Sequence, residues 1–288
     1  MICEARVSHC GTFICGKAVV MRDITAFITD TGWLLTDCAP FHITSNQGER
    51  RFTEMERRAK QEMELYLKPT PTIEASHERI IEVARNLTRG RSSDEEKAIE
   101  LFYFVRDSIR YNIYMISVFI EDFKASRILE WGKGYCVQKA VLLAALGRAV
   151  SIPSRLVFAK IRNHKVPAHI FEMMKTNTFP RHGYNQFFLN GRWVSAAATF
   201  DKGLCEKNGL PTVEFDGKSD ALLPEKGLKG EPCIEYVEKF APREDLPFDW
   251  IAQRVSRIVG TDKRPWFNKN QQKKVNIADQ GRDNLEAS

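Results

Sequence analysis

The sequence predicts a globular chain that mixes helices with an antiparallel strand pair, and three observations carry that expectation. Ser93 with Glu96 forms a capping box. Behind it Ala98, Leu101, Phe102, Val105 and Ile109 recur at three- and four-residue steps, the period of an amphipathic helix. Val137 to Val150 is apolar nearly all round, which reads as a buried central helix. Gln186 to Leu189, Asn190-Gly191 and Arg192 to Ala196 read as a hairpin, because Asn-Gly accepts the two successive positive φ angles of a tight two-residue turn.

Composition narrows the class. The chain has 288 residues, of which 43% are apolar and 28% charged, with 43 Lys+Arg against 37 Asp+Glu for a net +6. That excludes disordered, collagen-like and coiled-coil chains. No run approaches the roughly 18 to 20 apolar residues of a membrane helix. A surplus of six charges spread over this length implies no nucleic-acid partner. The seven cysteines, at 3, 10, 15, 38, 136, 205 and 233, form an odd set without a CxxC pair. They point to reduced thiols in a cytoplasmic protein rather than to a disulfide framework. Only Cys10 and Cys15 approach zinc-ligand spacing, and they lack a credible fourth ligand. The segment Val7 to Gly16 is interrupted by Ser, His, Thr and Gly and does not read as a signal peptide.

Residues 1–54 carry four of the cysteines and no sustained period, and they read as a loosely ordered extension or as upstream sequence, with Met21 and Met55 as alternative starts. Glu54 to Leu67 is helical in propensity and is closed by Pro69 and Pro71. Ser76 opens a second helical segment with Ile80, Ile81, Val83 and Ala84, ending at Thr88-Arg89-Gly90. After the capped helix, residues 116–130 are ambiguous. Trp131 to Cys136 is a glycine-rich turn into the buried helix, which Ile152-Pro153 ends before a strand from Arg155 to Ile161. Beyond Lys202 the chain is irregular to about 250, and residues 261–288 read as a polar, disordered tail. There is no internal repeat.

The chemistry centres on Cys136, at the start of the buried helix. Unpaired N–H groups and the helix dipole favour a thiolate there. A buried structural cysteine is the plainer alternative. His182 supplies a possible base. With Asn190-Gly191 as the turn, cross-strand partners sum to 381, so His182 faces Thr199, with Ala197 and Asp201 as its diagonals within about 7 to 8 Å. A histidine with a diagonal carboxylate has the geometry of an oriented base. The alternative is a surface histidine near a loop aspartate.

These residues carry a family resemblance. Gly134-Tyr135-Cys136-Val137-Gln138-Lys139-Ala140, running on through Leu142-Leu143, Leu146, Arg148-Ala149, Ile152-Pro153 and Arg155, resembles the nucleophile helix of the transglutaminase-like superfamily. His182-Gly183-Tyr184 with Leu189 to Val194 resembles its histidine hairpin. Tyr66-Leu67, Lys97-Ala98 and Val105-Arg106-Asp107 through Ile109-Arg110-Tyr111 resemble its leading helices. The similarity spans roughly residues 62–201.

The resemblance implies an α+β fold of the papain-like cysteine-enzyme type, with the nucleophile helix packed on an antiparallel sheet. The domain would span residues 55–260, with Cys136 as nucleophile and His182 as base of a Cys-His-Asp triad. The chain departs at the third member, because the family's Asp position is Ala197. Asp201 is the favoured replacement, with Thr199 and Asp216 as the others. Gln138 reads as structural, Trp131 as packing, the Cys136 amide as the oxyanion donor, and Asn163-His164 and His169 as solvated loop groups. The implied function is attack on a peptide or protein amide through a thioester acyl-enzyme, as a peptidase or amidase more than a transamidase. No metal or cofactor is required, and oligomeric state is not legible. The competing reading is a non-catalytic binding module with a decayed triad.

Overall fold

The computed structural model describes residues 19–21, 24–26, 54, 57, 61, 63–262 and 264. Contacts divide the chain into two units, Met1–Met55 and Glu56–Ser288. In the first unit, β1 (Val19–Met21) pairs antiparallel with β2 (Ile24–Ala26). Cys3, Cys10, Cys15 and Cys38, and with them the zinc alternative, lie outside the described residues, as does most of the 261–288 segment.

The second unit is built around its most apolar segment. Helix α4 (Cys136–Ala149) is buried along nearly its whole length, as its lack of a polar face requires. Helices α1 (Glu78–Leu87), α2 (Asp94–Tyr103) and α3 (Ala125–Trp131) pack against one side of it. On the other side lie β5 (Ser154–Asn163) and β6 (Thr178–Leu189) of an antiparallel sheet. With β7 (Arg192–Ala196) and β8 (Ile234–Lys239), the sheet order is β7-β6-β5-β8. A short parallel pair, β3 (Arg110–Tyr111) with β4 (Lys133–Gly134), leads into α4. Helices α5 (Ala168–Met174), α6 (Lys202–Asn208) and α7 (Phe248–Val259) complete the unit. This is the expected α+β architecture, with the buried helix that begins at Cys136 packed on an antiparallel sheet.

Local signals explain most elements. The Ser93 hydroxyl accepts from the Glu96 N–H at 3.2 Å and the Glu96 carboxylate accepts from the Ser93 N–H at 3.2 Å, so both halves of the capping box form. The α-helix ends at Tyr103, earlier than the apolar period suggests, and continues as one π turn over Phe104–Ser108. The hairpin turn has φ of 48° at Asn190 and 78° at Gly191, the two positive angles its sequence predicted. Residues 116–130 resolve into a short 3-10 turn at Ile120–Phe123 followed by α3.

The stretch read as irregular contains three regular elements. Strand β8 was not evident because only Ile234 and Tyr236 point inward, while Glu235, Val237 and Glu238 are exposed at the sheet edge. Arg264 also departs from the solvated-tail expectation. Its Nε donates to Asp122 Oδ2 at 2.8 Å and its guanidinium lies 4.1 Å over the Phe119 ring.

Close packing of α4 on the sheet makes a stability prediction. A Cβ on Gly147 would fall inside contact distance of Ser154 Oγ and 2.6 Å from Phe187 Cε1. Alanine in a helix gains about 1 kcal/mol over glycine. Phe187 is wholly buried and has no cheap way to move, so overpacking of about 1–3 kcal/mol prevails. Gly147→Ala is therefore expected to lower unfolding free energy by up to about 2 kcal/mol in a urea titration.

Candidate active site

Cys136 occupies the first position of α4, after the extended Tyr135. Gln138 fixes this entry: its Oε1 accepts from the Tyr135 N–H at 3.2 Å and its Nε2 donates to the Asp122 carbonyl at 2.8 Å. The structural role expected for Gln138 is the one observed. The helix start also lies hard against β6. A Cβ on Gly183 would stand 3.1 Å from Val137 Cα and 3.2 Å from Val137 Cγ2, so glycine lets the two backbones approach without displacing either. The approach brings the Gly183 N–H onto the Cys136 sulfur, one residue along the strand from His182.

The electrostatics differ from a preformed thiolate. Burial pushes the Cys136 thiol up to about 11, overriding the Gly183, Val137 and Cys136 amides and the Lys139 charge, which all favour the thiolate. A thiolate there would oppose ionisation of Tyr111, Tyr135 and Tyr236. The helix-start amides favour a thiolate as expected, but desolvation outweighs them. His182 is 2% exposed and its Nε2 is buried without a hydrogen-bond partner. Burial alone pushes its pKa down to about 3. Its ring lies 6.1 Å from those of Tyr184 and Tyr236, stacked on the first and edge-on to the second. At rest Cys136 is a thiol and His182 a neutral imidazole.

A neutral buried imidazole has a consequence for acid stability. The unfolded chain binds a proton at His182 near pH 6.5, whereas the folded chain resists it down to about 3. Between those values the unfolded state holds more protons, so this group's contribution is full above pH 6.5 and declines as pH falls. From pH 7 to pH 5 it costs about 2 kcal/mol at about 1.36 kcal/mol per pH unit. Urea midpoints of the wild type and His182→Gln should show that much less pH dependence in the variant.

Asp201 does not meet His182. The hairpin register holds as expected from Leu189↔Arg192 to Asn185↔Ala196 and stops there. The Ala197 N–H donates instead to the Ala221 carbonyl at 2.8 Å, and the Ser195 N–H to Asp220 Oδ1 at 2.7 Å. This covering loop draws the chain off β6, so the extrapolated pairing of His182 with Thr199 has no ladder to carry it. His182 pairs with Ala159 of β5. Asp201 caps α6, with Oδ1 accepting from the Leu204 N–H at 2.9 Å, while Oδ2 accepts from the Tyr111 N–H at 2.8 Å. Its charge acts on Lys139.

The other replacements are also committed elsewhere or uncharged. Asp216 accepts from the Lys218 and Ser219 N–H groups of its own loop, and Thr199 is a buried hydroxyl. Ala197, at the family's Asp position, is 0% exposed. Trp131 is half-buried against the core. His164 is exposed with its Nε2 3.4 Å from Glu235 Oε2, and His169 is exposed.

Two features escaped sequence reasoning. One is the charge coupling of the sulfur to Tyr111 and Tyr236, which come from distant segments. The other is Lys139, 1% exposed, with Nζ donating to the Arg106 carbonyl at 3.0 Å, at the π turn. Burial pushes its pKa down to about 7, against the pull of Asp201 and Asp107. A lysine within a largely apolar helix was the signal for it. Among the described residues no group of three His, Cys, Asp or Glu is placed to hold a metal ion, and no helix is long and apolar enough to cross a membrane. Cys136, Cys205 and Cys233 are free thiols.

Comparison with known proteins agrees with this architecture. The model of the transglutaminase-like superfamily matches residues 81–198, a span that includes Cys136, His182 and Ala197. A solved “putative cysteine protease” from Cytophaga hutchinsonii is 17% identical, with a TM-score of 0.39 over 62% of this chain and 46% of its own. A solved “putative protease” from Parabacteroides distasonis is 13% identical, with a TM-score of 0.31 over 42% of this chain and 23% of its own. The matched region is thus less than half the length of either solved protein. No curated protein matches the chain. A helix-start cysteine on a histidine-bearing antiparallel strand, within the span the family model matches, identifies residues 81–198 as a transglutaminase-like superfamily domain.

Proposed function

We propose that the domain is a cysteine-dependent amide hydrolase with Cys136 as nucleophile and His182 as base. The observation that carries this reading is the juxtaposition at α4 and β6. Cys136 heads a buried helix with the Gly183 amide on its sulfur, and the adjacent His182 holds a buried Nε2 that no protein group satisfies. An orphaned buried nitrogen costs about 1–3 kcal/mol and persists where it has a use.

The neutral resting pair sets the mechanism. Each group resists charging alone in this apolar setting, whereas moving the thiol proton to the imidazole charges both at once and creates an attracting pair. The sulfur then forms its bond to the substrate carbonyl carbon while His182 holds the proton. That proton passes to the amide nitrogen as the C–N bond breaks, leaving a thioester on Cys136 and a free amine. Water, deprotonated by His182, attacks the thioester. The carboxylic acid leaves and the proton returns to sulfur. Helix-start amides, with that of Cys136 foremost, are the donors for the oxyanion. Water is favoured as acceptor over an amine on family resemblance alone.

A binding role is the competing reading, favoured by the alanine at position 197 and by the engagement of both Asp201 oxygens elsewhere. Trapping decides between them. The full chain incubated with activated acyl esters is expected to carry a Cys136 adduct in mass spectra that hydroxylamine discharges. Absence of any adduct at Cys136 would leave the binding role.

A further inference from the structure

A cluster of three arginines lies beside the candidate active site without an anionic partner. Strand β6 bulges next to His182: the pairing passes from Ala159↔His182 to Ile161↔Phe179, leaving Pro180 and Arg181 opposite Lys160. Bulges beside active sites re-aim side chains. Here the Arg181 guanidinium lies 4.6 Å from the Trp250 ring centroid and its Nη2 donates to Gln253 Oε1 at 3.3 Å, both on α7. Positions 250, 253, 254 and 257 share one helix face, so Arg254 and Arg257 stand along the same side.

The cluster carries unmet hydrogen-bonding capacity. Arg181 Nη1 and Arg254 Nε are both buried and have no acceptor, and among the described residues none of the three arginines is in an ion pair. Burial, then the charges of Arg254 and Arg257, push the Arg181 guanidinium down, so the three repel one another. Contacts connect this site to the nucleophile. Trp250 packs edge-on to Phe158 at 5.4 Å, and Phe158 walls the glycine cradle at Gly183 whose N–H meets the Cys136 sulfur. Arg181 itself is two residues from Gly183, about 7 Å along the strand.

We propose that Arg181, Arg254 and Arg257 form a carboxylate-binding subsite that selects acidic peptides for the active site. A guanidinium fork presents parallel N–H groups at the spacing of two carboxylate oxygens, so one carboxylate satisfies both orphaned donors and relieves the repulsion. That the carboxylate belongs to a peptide rests on the amide-hydrolase reading; the anion site itself does not.

The test is binding of fluorescein-labelled pentaglutamate and pentaglutamine to the full chain, followed by anisotropy at about 0.15 M salt to suppress weak surface attraction. Pentaglutamate is expected to bind and pentaglutamine at least tenfold more weakly. The pair Arg254→Gln and Arg257→Gln should weaken pentaglutamate about tenfold, the scale of one lost charge-assisted hydrogen bond. Arg85→Gln on α1 with Arg89→Gln just beyond its end removes the same charge elsewhere and should change binding less than twofold. Unchanged melting curves check the fold, and Arg257→Gln alone, at an exposed side chain, gives a smaller loss in the same direction. Equal weakening by both pairs, or no preference for glutamate, overturns the subsite. Because the readout needs no turnover, pentaglutamate bound through these arginines with Cys136 inert would remove the hydrolase reading and leave the anion site. Acylation of Cys136 without peptide binding would do the reverse.

Discussion

Replacing Arg148 by leucine is expected to lower the thermal midpoint by about 10 °C, the largest stability effect the structure predicts for a single side chain. Arg148 sits near the end of α4, 4% exposed, and donates only to backbone carbonyls. Its Nε and Nη2 reach the Ser154 carbonyl at 3.0 and 2.8 Å, Nη1 the Lys68 carbonyl at 2.6 Å, and Nη2 the Glu244 carbonyl at 2.6 Å. One guanidinium thereby ties the segment before α1, the start of β5 and the loop before α7 to the central helix. Burial pushes its pKa down only to about 10, so it stays charged at neutral pH. Removal leaves three carbonyls without that donor, at about 1–3 kcal/mol each where water has no access. Leucine recovers part of the cost through burial, for a net loss of about 3–5 kcal/mol. Arg148→Lys keeps the charge but loses the planar fork, and it should recover less than half of the difference in the same scanning calorimetry.

Acylation of Cys136 should slow by roughly 100- to 10,000-fold in His182→Ala, the usual range for losing a positioned general base. The direction follows from the resting protonation. With the thiol pushed up to about 11, only about one sulfur in 10,000 is ionised at pH 7, and reaction through His182 is the route around that scarcity. Without His182, the acylation rate should follow spontaneous thiol ionisation and climb about tenfold per pH unit above 7. The wild type should show a shallower profile. His182→Gln fills the buried site and separates loss of the base from loss of packing. Similar rates in wild type and both variants, with melting curves unchanged, would remove His182 from the chemistry.

The parts of this site that were legible in the sequence are those set by local rules. The hairpin register followed from Asn190-Gly191, because turn geometry fixes pairing until another segment intervenes. The buried helix followed from its composition, and the placement of Cys136 at its start from the glycines before it. Asp201 shows where such reasoning stops. Its assignment extended the register three residues past Ala196 to Thr199 and took the diagonal two beyond, and the loop at Asp220 and Ala221 had already taken the chain away. Nothing near position 201 encodes a loop twenty residues later. The thiol's upward shift was hidden for a similar reason: helix-start stabilisation is local and readable, but burial of the sulfur is set by the packing of the whole unit. Strand β8, with only two inward residues, is fixed by its pairing with β5 and not by its own period.

The most direct test of the neutral Cys136–His182 pair is the pH dependence of Cys136 alkylation, resolved from Cys205 and Cys233 by peptide mass spectrometry. A burial-raised thiol predicts a rate that keeps rising through pH 9 and 10, with no plateau near the ordinary value of about 8.5. A plateau reached below pH 7 that disappears in His182→Ala would show a preformed thiolate–imidazolium pair and contradict the account.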